Sequence, residues 1–145
     1  MKANYTILAY QDDSKEIFQD ADDRNYKYLN KFFYKLGEKF FYFREAGHGI
    51  ILLQDTGDEK AAEYAENIVN NLILIHNNNE IRCGIGTSVR SISDIRQSFR
   101  NARAALSFAK FKTIHCISFS KIGFYKMLFS SEDQDILKEY TTCLE

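Results

Sequence analysis

Proline is absent from the 145 residues, although roughly 5% would be usual. A Pro-rich linker and a cis-proline turn are therefore excluded. Tryptophan is also absent. Cysteine occurs only as Cys83, Cys116 and Cys143, far apart and without CxxC spacing. That odd number argues against a disulfide framework or a zinc site and for a reducing compartment. No apolar run approaches the roughly 20 residues of a membrane span, and the start MKANYT is not a signal peptide. The expectation is a cytoplasmic protein that does not engage a membrane. Neither sign of charge is in excess: 19 Lys+Arg face 20 Asp+Glu, for a net charge of -1. A stand-alone DNA or RNA binder is normally clearly basic, so this chain is not expected to grip nucleic acid by itself.

Hydrophobic residues make up 45% and aromatics 14%, enough for one domain with a packed core. Tyr5–Tyr10 is a β-prone run. An acidic stretch follows, with Asp12, Asp13, Glu16, Asp20, Asp22 and Asp23, and Asp22 or Asp23 can cap a helix. Leu29, Phe32, Phe33 and Leu36 mark one helical face, and Gly37 is a C-terminal stop. Residues 40–43 and 50–53 read as strands, and 44–49, with two glycines, as their hairpin connection. Thr56 and Glu59 have capping-box spacing. Ala62, Ala65, Val69, Leu72 and His76 form the face of the next helix, which Asn77–Asn79 break.

Residues 81–86 read as a fourth strand whose glycines permit close approach or an early bend. Ser93 is placed to cap a long helix with Ile95, Phe99, Ala102, Leu106 and Ala109 on one face. Residues 114–119 read as a fifth strand. Ile122, Tyr125 and Phe129 predict a short helix, and Ile136, Leu137 and Tyr140 a last one. The order β-α-β-β-α-β-α-β-α predicts a ferredoxin-like α/β sandwich with a sheet of about five strands and helices packed on it.

No hydrolase motif surrounds His48, His76 or His115. His76 is expected as a packed or boundary residue, His115 as structural, and His48 as exposed at the hairpin tip. Gly84-Ile-Gly86 lacks the third glycine of a dinucleotide fingerprint, so strand packing is the better reading. Arg96, Arg100 and Arg103 recur at helical spacing within a basic segment at 81–112. They can contact an anion, face an acidic partner such as the 12–23 stretch, or form a solvated surface. Asp12 and Asp13 lack the converging carboxylates that a Mg²⁺ site needs, so no metal site and no cofactor are expected.

The hairpin Phe43-Arg-Glu-Ala-Gly-His-Gly-Ile-Ile-Leu-Leu53 resembles the RYGGDEFAILL hairpin of diguanylate cyclases, with Ala46-Gly47-His48-Gly49-Ile50 in place of GGDEF. Cys83–Gly86 followed by Ala102–Lys110 is similar to the cyclase SIG…ADxALYxAK pattern. The chain resembles still more the degenerate GGDEF-like domain of PucR/CdaR transcriptional regulators, of purine-catabolism and sugar-diacid type. That domain reads GIG…SxxxAxxAL, then a strand, then an lGlYrLL helix. Here these are Gly84-Ile-Gly86, Ser98, Ala102, Ala105-Leu106 and residues 122–128.

In the cyclases, the resemblance implies, the hairpin Asp and Glu hold metal and polarise the attacking 3′-hydroxyl. His48 and Gly49 stand in their places, and the strand-one metal aspartate falls near Ala9 or Tyr10. No cyclase activity and no catalytic residue are therefore expected. The resemblance implies a non-catalytic regulatory and dimerising module, homodimeric in the full-length protein. DNA would be reached only through a helix-turn-helix beyond these residues. A sensor of nucleotide or purine catabolite is the alternative.

Overall fold

The computed structural model describes residues 4–12, 24–45 and 47–122. The elements run β1 (Tyr5–Gln11), α1 (Arg24–Leu36), β2 (Phe40–Glu45), β3 (His48–Gln54), α2 (Asp58–His76), β4 (Arg82–Ile85), a 3₁₀ turn (Ile92–Asp94), α3 (Ile95–Lys112) and β5 (Cys116–Ser118). The five strands lie in the order β2-β3-β1-β4-β5. β1 sits antiparallel between β3 and β4, β2 pairs antiparallel with β3, and β5 joins β4 in parallel. The first four strands thus have the ferredoxin-like arrangement expected, and β5 extends it at one edge.

Side-chain alternation along the strands divides the core. Leu8, Tyr10, Ile51, Leu53, Cys83 and Ile85 face α1 and α2, meeting Leu29 and Phe33 of the first and Ala65, Ile68, Val69 and Leu72 of the second. Ile7, Ala9 and Ile50 face the other way, against Ala102 and Leu106 of α3. A two-layer sandwich has therefore gained a third layer. Each large aliphatic or aromatic side chain in these clusters contributes about 1.5–3 kcal/mol by leaving water.

α3 can sit close to the sheet because β4 carries glycine. A Cβ on Gly84 would overlap the Ala102 carbonyl oxygen and lie 2.9 Å from Leu106 Cα, and one on Gly86 would overlap the Ser98 carbonyl oxygen. Ser98 Oγ in turn accepts the Ile7 N–H at 2.9 Å, and Gly86 N–H donates to the Ile7 carbonyl at 2.8 Å. The Gly84, Gly86, Ser98, Ala102 pattern is thus the signature of one helix docked on one strand pair.

Several expectations need correction. The hairpin connection is shorter than 44–49, because Arg44, Glu45, His48 and Gly49 already belong to the strands. The α2 cap is Gly57, with no side-chain capping bond. Thr56 Oγ1 instead lies 3.4 Å from the Gln54 carbonyl and 3.5 Å from Glu38 Oε2. Ser91, not Ser93, caps the 3₁₀ turn that leads into α3. Leu36, expected on the core face of α1, is exposed. Residues 119–122 are helical. The remaining positions of the two expected C-terminal helices, Cys143, the carboxylates of 13–23 and Ala46 lie outside the described residues. Among the described residues, no helix is long and apolar enough to cross a membrane.

Candidate functional site

The motif hairpin closes between Glu45 and His48, which face each other across β2 and β3. Gly47, with φ +79°, takes the left-handed conformation of the turn. His48 is half-buried rather than exposed at a tip, and its Nδ1 donates to the Glu45 carbonyl at 3.2 Å. Gly49 and Ile50 are buried in β3.

Opposite Gly49 on β1 stands Tyr10. Its ring is buried on the α1–α2 face, and its hydroxyl donates to the Ala65 carbonyl at 3.3 Å. Burial, reinforced by the Cys83 and Cys116 thiols, pushes the Tyr10 phenol well above its ordinary value, so it remains a neutral donor. Beyond it, Asp12 is buried at the end of β1, and Asn78 Nδ2 approaches Asp12 Oδ2 at 3.5 Å.

A second polar group lies on the same face of the sheet. Asn25, buried near the start of α1, accepts from His76 Nε2 at 2.6 Å. This places His76 at the boundary where α2 ends against α1. Tyr42 projects from β2 toward Asn25. Burial raises its phenol, while Asn25 and Arg44 act in the opposite direction. Neither Asn25 nor Tyr42 belongs to the motif, and no spacing in the sequence marks them.

The three arginines of α3 separate. Arg96 and Arg100 are exposed. Arg103 is half-buried, with its guanidinium carbon 5.7 Å from the Phe99 ring centroid. Two other cations of the basic segment are used internally: Arg82 Nη1 donates to the Ile114 carbonyl at 2.9 Å, and Lys110 Nζ bonds Gln11 Oε1. His115 Nδ1 donates to the Ile81 carbonyl at 3.4 Å.

Fold and hairpin together define a class: an α/β sandwich of ferredoxin-like order whose motif hairpin joins β2 and β3 beside the end of β1. The family model described as GGDEF-like domain matches residues 4–108. The chain belongs to the GGDEF-like domain family. No curated protein and no solved structure gives a match.

The catalytic chemistry implied by the cyclase resemblance needs Mg²⁺, which takes oxygen ligands from carboxylates and phosphates. The residues at the corresponding positions do not fit it. His48 offers an imidazole whose Nδ1 is engaged by backbone, Gly49 offers no side chain, and Tyr10 directs its hydroxyl to Ala65. Among the described residues, no three His, Cys, Asp or Glu side chains converge on one point.

Proposed function

We propose that the chain is a non-catalytic regulatory and dimerising domain of a PucR/CdaR-type transcriptional regulator, which relays a signal to a DNA-binding domain outside these residues. One observation supports the dimerising part of this assignment. Beside a hairpin backed by the buried Tyr10 ring, the sheet presents Phe41 and Phe43, 60% and 43% exposed, on the face where α3 packs. α3 packs on β1, β4 and β5 and also covers Ile50 of β3, so among the described residues it leaves β2 uncovered on that face. Leu52, Ile95 and Phe99 are half-buried at its margin, and the Arg96 and Arg100 charges lie on the same helix. A second copy that brings the same face would bury these rings without burying a charge at the centre.

Sedimentation equilibrium tests the dimer. The wild-type chain is expected to self-associate in the micromolar range. Phe41→Ser and Phe43→Ser should each weaken association about tenfold or more, the usual effect of truncating a central aromatic contact. A monomer at every concentration would remove the dimerising role.

A ligand-sensing role is favoured by a different feature. A groove of about 410 Å³ between α1 and α2 is lined by Tyr28, Phe32, Lys31, Lys35, Asn67 and Asn71, among others. Its volume and its mixture of rings and polar tips suit a small planar ligand. Calorimetry with guanine nucleotides and purine catabolites checks this, and Lys31→Ala should abolish any heat that arises there. Flat titrations throughout would leave the contact role alone.

A further inference from the structure

The row of side chains that begins at Gly49 and Tyr10 continues across the sheet to two thiols. Tyr10 faces Cys83 on β4, and Cys83 faces Cys116 on β5. Cys83 is fully buried, whereas Cys116 is half-buried. Cys116 borders a cavity of about 310 Å³ between α2 and β5, with Glu66, Asn70, Ser118 and Lys121 among its polar walls. Both thiols are free.

We propose that Cys83 and Cys116 form a dithiol site that a hydroperoxide entering this cavity converts into a reversible disulfide. Paired positions on neighbouring strands lie about 4.7–4.9 Å apart, inside the roughly 4.4–6.8 Å between Cα atoms that a disulfide accepts. The Cys83 thiol donates to the Gly84 carbonyl at 3.7 Å, and burial, followed by the neighbouring Cys116 thiol, raises it well above its ordinary value. The two sulfurs therefore have different tasks. Cys116 meets the oxidant, because it borders the cavity. Cys83, buried beside it on the neighbouring strand, can meet only Cys116.

The steps balance. Cys116 sulfur attacks the terminal peroxide oxygen: an S–O bond forms, the O–O bond breaks, and the thiol proton leaves with the departing oxygen, as water from hydrogen peroxide or as an alcohol from an organic hydroperoxide. Cys83 sulfur then attacks the Cys116 sulfenic acid: the S–S bond forms, the S–O bond breaks, and water leaves. The peroxide is reduced and the thiol pair oxidised by two electrons. Side chains on adjacent parallel strands run side by side rather than converging, so the bond closes under strain and is readily reduced. The inference does not depend on the regulatory assignment above.

The test uses the whole chain, reduced and then exposed to a small excess of hydrogen peroxide. Free thiols are alkylated and the peptides mapped by mass. The expected product is a Cys83–Cys116 cross-linked peptide, two hydrogens lighter than the separate pair and restored by dithiothreitol. It should persist in Cys143→Ser and disappear in Cys116→Ser and Cys116→Ala. Circular dichroism on these variants confirms that the sheet is retained. Cross-linking through Cys143, conversion of Cys116 to sulfinic acid without a link, or full alkylation after peroxide would each overturn the proposal.

Discussion

Gly84 and Gly86 have no room for a side chain because α3 backbone occupies the space. Gly84→Ala should destabilise the fold by about 2–4 kcal/mol, the upper range for forcing extra volume into a packed core. Urea denaturation checks this, with Gly57→Ala as the control, since a methyl at Gly57 meets open space. From the sequence these glycines were legible as points of close approach or of an early bend, and the Ala102 and Ser98 backbone beside them decides for close approach. The buried thiol and phenol were not legible in the same way, since their environment comes from strand pairing. Both acids are raised in the fold by burial. Unfolded, Cys83 titrates near pH 8.5 and Tyr10 near pH 10. Below about pH 8.5 both states keep the protons and stability does not depend on these groups. Above it, the unfolded chain loses a proton that the native chain retains, so stability falls as pH rises, by up to about 1.4 kcal/mol per pH unit and group. Denaturation midpoints between pH 7 and 10 should decline from about pH 8.5 upward, and Cys83→Ala should delay the onset.

All three long helices end by the same device. Gly37, Asn77 and Thr113 adopt left-handed φ of 67°, 50° and 57°, and the residue after each donates to a carbonyl in the last turn: Glu38 to Phe33, Asn78 to Ile73 and Ile114 to Ala109. Gly37 and the Asn77–Asn79 run announced two of these stops in the sequence. Thr113 did not, because a β-branched residue is disfavoured in that conformation. Thr113→Gly should therefore stabilise the chain by about 1 kcal/mol, seen as a higher urea midpoint. Helix starts were less legible. Thr56 with Glu59, and Ser93, have the right spacing for caps, but the chain begins α2 one residue later and approaches α3 through a 3₁₀ turn. β2 is a different case. Phe40, Phe41, Tyr42 and Phe43 are apolar on both faces, the pattern of a strand covered twice. A helix covers only one face, so Phe41 and Phe43 remain open. Their replacement by serine should leave monomer stability within about 0.5 kcal/mol, as for other surface changes, while weakening association.

Across the whole molecule, the order of elements was readable because the hydrophobic period changes from two to 3.6 at each boundary. The neighbours of the first four strands were readable only through the ferredoxin-like order, and the edge that β5 joins was not. That β5 extends the sheet beside β4 follows from a crossover that no local spacing records. For the same reason Cys83 and Cys116 read as unrelated in sequence and stand side by side in the sheet. The basic segment at 81–112 likewise read as one charged surface, whereas Arg82 and Lys110 serve the interior and Arg103 lies over Phe99. The hairpin was legible as a motif with altered chemistry, and its pairing adds the physical cause: Tyr10 stands opposite Gly49 with its hydroxyl committed to Ala65. In this GGDEF-like domain the hairpin positions that correspond to the cyclase Asp and Glu carry an imidazole and a glycine. The most direct measurement is incubation of the purified chain with GTP and Mg²⁺, followed by chromatographic analysis of the nucleotides. GTP should be recovered unchanged. Formation of a cyclic dinucleotide, abolished by His48→Ala, would contradict the account.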